Sequence, residues 1–344
     1  MEVPSIFLNR ILTQVARRNA SSMHLMAGSL PMMRVNNELL AIEGENIVTA
    51  EITDKIIDSI ASEEEIKRLK ENKEVVLVKE LAGGFRFRVN IFFQKNMPAI
   101  SFHYIPSAIK RMSDLKLPKA IDNLIRLNSG LFIVAGSYGS GKTTTAAALV
   151  EEINKNYKKN ITTIEDPIEY LFVSKKSLVS QRQVGGDVAS VTQGIRRCLD
   201  EDTDLVYIGE IKSELESAMP LILELAAGNS LVILEINANS SVRAIEKIIN
   251  SVEAKTSPEA ARFGLADVFL GAITQKLIPK IGGGLALAAE VLLATNAVKS
   301  LISEGRIYQL ESVIQTSRRE GMVIMAKAIE ELIDTGEIKR EDAI

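Results

Sequence analysis

The chain has 344 residues, 46% of them hydrophobic and 25% charged, and a formal net charge of -3. That length allows about two domains with cores of their own, and the balance excludes a disordered or collagen-like chain. A pI near 5.7 argues against a dedicated nucleic-acid binder, which needs a clustered excess of Lys and Arg, and the single cysteine, Cys198, excludes an internal disulfide or a cysteine zinc site.

At the N-terminus Phe7, Leu8, Ile11, Leu12 and Val15 recur at helical spacing with Arg and Asn between them, which predicts an amphipathic helix rather than a signal peptide. No stretch approaches the roughly 18 uninterrupted apolar residues of a membrane span, so a cytoplasmic location is expected. A charged helix follows around Ser62 to Asn72, and FRFRVNIFF at 85–93 and AISFHYI at 99–105 read as an antiparallel pair joined by the turn-like QKNMP. Residues 1–105 therefore read as an α+β domain, and the polar, proline-bracketed stretch Pro106 to Pro118 as a linker. In the remainder, 119–344, the apolar runs GLFIVAG (130–136), NITTIED (160–166), TDLVYIGE (203–210) and NSLVILEIN (229–237) alternate with helical segments. Short unbroken apolar strands between helices predict an α/β domain with a buried parallel sheet. From about Pro258 onward the pattern is mostly helical, with one strand-like run, AEVLLA at 289–294, after the glycines 282–284.

GSYGSGKT at 136–143 fits the G-x-x-x-x-G-K-S/T spacing directly between an apolar strand and the helix-forming TTAAALVEEI. Gly136, Gly139 and Gly141 let the backbone curl, so that amides of the turn, with Ser137, Ser140 and Thr144, point at phosphate oxygens. The helix N-terminus adds about half a positive charge. Lys142 is expected on the β- and γ-phosphates and the Thr143 hydroxyl on magnesium, so ATP and Mg²⁺ are the implied ligands. Such a site also needs acids at neighbouring strand ends. Glu210 ends DLVYIGE, and Glu165, Asp166 and Glu169 follow the strand of TIEDPIE. Alone, each acid is as consistent with a helix cap or a solvated turn; beside the cradle they read as ligands of magnesium and of the attacking water.

These stretches, together with NASSMHL near the start, FRVN (87–90), TIEDPIEY (163–170), SKKSLVSQRQV (174–184), GEI (209–211), QKLIPKIGGG (275–284) and VIQTSRREGM (313–322), resemble the PilT-like retraction ATPases of type IV pili, within the wider type II and type IV secretion ATPases. The resemblance spans nearly the whole chain. It implies a PAS-like N-terminal domain and a RecA-like ATPase domain, a homohexameric ring with nucleotide between subunits, and a partner in the pilus platform at the inner face of the cytoplasmic membrane. By position it assigns the "Asp box" to Glu165, Asp166 and Glu169, the Walker B role to Glu210, and a phosphate-facing arginine to Arg88, with Arg86 a weaker candidate.

Departures from the family pattern are concentrated in cationic and switching groups. His103 stands in FHYIP where an arginine is usual, and Lys95 and Asn96 fill a turn that usually carries another. The family string G-H-L-V-F-G-T-L-H-T-T-S-A is here NSLVILEINANSS, with Ser230 and Asn237 near the two histidine positions; Asp200 and Lys212 each replace an arginine. The resemblance thus implies either a pilus-retracting motor or an ATP-binding accessory subunit with weak hydrolysis. A pilus-assembly or secretion ATPase is a further alternative, less expected because such relatives carry an additional N-terminal domain. The other histidine, His24, reads as a packed structural residue or an interface contact, and His103 as either core packing or a phosphate neighbour.

Overall fold

The structure, a computed structural model, describes residues 4–18, 20–36 and 38–343. The chain divides into two compact units, Met1–Ala108 and Ile109–Ile344.

The first unit begins with helix α1 (Pro4–Arg17), whose Leu8, Ile11, Leu12 and Val15 are buried, as their spacing predicts. Strands β1 (Ser22–Met26), β2 (Met32–Val35) and β3 (Glu38–Ala41) precede helices α2 (Ala50–Ile60) and α3 (Glu63–Asn72), and strands β4 (Glu74–Leu81), β5 (Phe85–Gln94) and β6 (Met97–Ile105) complete a six-stranded sheet. Its order is β3-β2-β1-β6-β5-β4, antiparallel throughout. Helix α3 starts at a reciprocal cap, in which the Ser62 hydroxyl accepts from the Glu65 amide and the Glu65 carboxylate from the Ser62 amide. The β5–β6 hairpin turns at Lys95 and Asn96, both at positive φ, as a two-residue turn that follows strand twist requires. Period-two alternation buries Phe87, Val89 and Ile91 and sends Arg86, Arg88 and Asn90 to the other face.

The second unit opens with a single 3₁₀ turn at Met112–Leu115, so that Met112 and Ile121 are already in its core; the second half of the proline-bracketed stretch thus packs rather than links. Helix α4 (Ile121–Leu124) leads to β7 (Gly130–Gly136), α5 (Lys142–Asn156), β8 (Asn160–Glu165), β9 (Leu178–Gln183), α6 (Val191–Asp200), β10 (Leu205–Ile208), α7 (Leu215–Ala227), β11 (Leu231–Asn237), α8 (Ser241–Glu253) and α9 (Pro258–Val268). Then come β12 (Phe269–Pro279), β13 (Leu285–Leu293), α10 (Asn296–Ser303), α11 (Leu310–Thr316) and α12 (Met325–Asp334).

The sheet order is β13-β12-β7-β11-β10-β8-β9, parallel except for β13. Leu131, Ile133 and Ala135 of β7 enter one core with α7 and α8, while Phe132 and Val134 enter another with α5. Both faces are covered, which is why these strands are apolar without alternation. The region after Pro258 departs from the mostly helical expectation, because Phe269–Pro279 is a long strand beside β7. Thr274 and Gln275 interrupt its apolar run, and they are polar because they bond Ser241 and Thr145 respectively.

Candidate nucleotide-binding site

Strand β7 ends at Gly136, whose register neighbours are Asn237 of β11 and Gln275 of β12. A β-carbon on Gly136 would lie 2.2 Å from the Ser140 Oγ and 2.8 Å from the Gln275 carbonyl, so only glycine closes this turn. Gly139 and Gly141 have φ of +75° and +87°, and Gly141 caps α5 without a side chain. The first amides of a 15-residue helix are therefore left for an external anion. The buried Ser140 hydroxyl also has no protein partner. A glycine-built cradle with an orphaned hydroxyl at a helix N-terminus fits a phosphate.

Within the cradle the Lys142 ammonium donates to the Gly136 and Ser137 carbonyls at 3.1 and 3.0 Å and lies 3.3 Å from the Glu210 carboxylate. Glu210 follows β10, so the turn places the two sequence-predicted groups of opposite charge in contact. Thr144 bonds the Tyr170 hydroxyl at 3.1 Å, tying α5 to the segment after TIEDPIE. Glu165, the last residue of β8, is buried and accepts from Thr163 at 2.6 Å and Gln181 at 3.4 Å. Burial pushes its carboxyl up to about 7, and the charge of Glu169 adds to the rise. Asp166, before a cis proline at 167, is exposed and pairs with Lys212 at 3.1 Å; Lys212 also donates to the Asp166 carbonyl. Lys212 thus staples the β10 exit to the β8 exit.

One acid of the site was not anticipated. Glu235, in the middle of β11, is buried with one oxygen accepting from the Tyr207 hydroxyl at 2.6 Å and the other from the Thr143 hydroxyl at 3.2 Å. Burial pushes it up to about 7, the bond from Tyr207 and the charge of Lys142 opposing the rise. The available signal was a carboxylate inside the apolar run LVILEIN, where an unpartnered charge is costly. Among the described residues no three His, Cys, Asp or Glu converge into a ready-made metal cage. Magnesium does not require one, because it commonly takes one or two protein ligands with phosphate oxygens and water. Of the candidate ligands, Thr143 belongs to the cradle and Glu210 touches its Lys142, whereas Glu165 is engaged by Thr163 and Gln181, and Asp166 by Lys212.

The substituted positions fall in different places. Ser230 donates to the Thr203 carbonyl at 2.6 Å, at the start of β11 and hence at the sheet end opposite the cradle. Asn237 is exposed beside Gly136, and Asp200 is exposed at the end of α6. In the first unit, Arg88 and His103 are cross-strand partners, and Arg86 pairs with Ile105. Burial, with Arg88 and then His24 adding to it, pushes His103 down to about 4. His24 is structural, bonded to Ser22 and Ser101 at 3.0 and 2.9 Å. Cys198 is buried in the α6 core, as expected of a small hydrophobe.

A glycine cradle between β7 and α5, with its acid after β10 and one strand intervening, defines a RecA-like P-loop ATPase. The chain belongs to the type II/IV secretion system protein family, whose profile matches residues 3–337. It is 33% identical over 336 residues to the type IV pilus retraction ATPase PilT of Pseudomonas aeruginosa, covering 98% of this chain and 96% of that protein. To a twitching motility protein of Neisseria gonorrhoeae it is 32% identical over 314 residues, 91% of this chain and 83% of the relative. A crystal structure of the pilus retraction motor PilT with bound ADP superposes with a TM-score of 0.81 at 32% identity, covering 98% of this chain and 95% of that one. No helix among the described residues is long and apolar enough to cross a membrane.

Proposed function

We propose that this ATPase hydrolyses Mg·ATP to drive retraction of a type IV pilus, as a ring of six copies acting on a platform protein at the inner face of the cytoplasmic membrane. Support for the pilus role comes from the near full-length likeness to a retraction ATPase and its solved structure. The observation that carries hydrolysis is the contact of Lys142 with Glu210 at 3.3 Å, which sets an acid beside the residue expected on the γ-phosphate. Bound magnesium would neutralise phosphate charge and fix its oxygens. Lys142 balances charge on the phosphate side, Thr143 offers its hydroxyl oxygen, and Glu210 orients water and holds its proton. Arg88 of one subunit is proposed to face the nucleotide of the next; Arg88→Ala then slows turnover more than it weakens nucleotide binding, and equal loss of both removes this role.

Phosphate release from purified protein tests the motor reading. The wild type is expected to exceed Lys142→Ala and Glu210→Gln by at least about 10²-fold, the scale of a lost charge-stabilising or proton-transferring group. Glu210→Gln should retain nucleotide that Lys142→Ala loses. A wild-type rate equal to both variants would instead support an ATP-binding accessory subunit. That second reading is favoured by the neutral Asn237 at the cradle and by His103 in place of a permanently charged arginine.

A further inference from the structure

We propose that Glu235 is a positioning residue for magnesium, acting through Thr143: by accepting the one hydrogen bond the threonine hydroxyl can donate, it turns the oxygen lone pairs toward the cation. The proposal rests on the magnesium reading above and assigns a role to a residue outside the acids of the motif.

A threonine hydroxyl has one proton and two lone pairs, so the proton's destination fixes where the lone pairs point. In a helix that proton commonly goes to a backbone carbonyl one turn earlier. Here it points from helix to sheet, in the hydrogen bond that Thr143 at the start of α5 donates to the Glu235 carboxylate on β11 at 3.2 Å. The acceptor is held in place: its second oxygen takes the Tyr207 hydroxyl at 2.6 Å, and Tyr207 is fully buried on β10. β11 lies between the cradle strand β7 and β10, with Glu235 level with Val134. Tyr207, Glu235 and Thr143 therefore form a line from the strand that ends near Glu210 to the hydroxyl expected on the metal. Packing alone gives no reason for a carboxylate here, since Leu231 and Ile233 on the same strand face are buried core residues. Groups that orient a metal ligand typically contribute 10- to 100-fold in metal affinity.

The test compares the affinity of the full chain for ADP with Mg²⁺ and in EDTA, with Mn²⁺ in place of Mg²⁺ followed by electron paramagnetic resonance as a readout independent of turnover. For Glu235→Leu the ratio of the two affinities should fall at least about tenfold and the bound Mn²⁺ signal weaken in step. Glu235→Gln, which keeps one acceptor oxygen, should lie between Leu and wild type. A folded Glu235→Leu with an unchanged ratio, or one that loses metal-bound and metal-free ADP equally, overturns the proposal. If Glu235→Leu does not fold, Glu235→Gln decides it: a fall of about threefold or more supports it, and no fall overturns it. A wild type whose ADP affinity ignores Mg²⁺ overturns the magnesium reading itself, a result distinct from any difference between variants.

Discussion

His103 lies across from Arg88 on the β5–β6 pair, and burial beside that guanidinium holds the imidazole neutral, with its pKa down at about 4. The unfolded chain takes up the proton near 6.5 and the folded chain only near 4, so the unfolded state binds more protons in that window. Stability from this residue is therefore complete above about pH 6.5 and is lost as the pH falls toward 4. Urea unfolding at pH 7 and 4.5 should show the wild type losing about 2 kcal/mol more than His103→Gln, a figure reduced for partial exposure. Equal losses would mean that the imidazole is hydrated in the folded chain. A neutral His103 also leaves Arg88 without a second cation directly opposite.

Among the elements, the β7–α5 turn was the most legible in the sequence, because every residue it needs lies within eight consecutive positions, 136–143. Its glycines are required for different reasons, which gives a graded prediction. Gly136→Ala places a β-carbon against the Ser140 hydroxyl and the Gln275 backbone, at 2.2 and 2.8 Å, and should cost about 2–3 kcal/mol because the β12 main chain cannot easily yield. Gly139→Ala meets no atom within 4 Å but keeps a φ of +75°, and should cost only about 1 kcal/mol. Denaturant midpoints on the two variants check the order, and a larger loss for Gly139→Ala would contradict it. What the sequence hid are contacts between distant positions. Glu235 meets Thr143 across 92 residues and Tyr207 across 28, and no local pattern records either pairing. β12 escaped for a similar reason, since Gln275 breaks its apolar run to bond Thr145 across 130 residues. β9 is an edge strand with only one neighbour, so LVSQRQ carries little apolar signature.

At the scale of the whole molecule, the division at Ala108 and Ile109 separates the core around the antiparallel sheet from the cores on the two faces of the parallel sheet. Gly136, Lys142, Thr143, Glu210 and Glu235 all belong to the second unit, so binding at the cradle is linked directly to the unfolding of that unit. At a free ligand concentration of about 100 times Kd, linkage adds about 2.7 kcal/mol to the state that binds. For a unit of this size that corresponds to roughly 5–10 °C in Tm. Scanning calorimetry of the full chain should therefore resolve two transitions, of which Mg·ADP raises the one belonging to the parallel-sheet unit. Ser62→Ala, which removes the α3 cap of the first unit, should lower only the other, by the several degrees that about 1 kcal/mol represents in a domain near 100 residues. A single transition that responds to both perturbations would show that the two units unfold as one cooperative structure, and the nucleotide would then stabilise the entire chain.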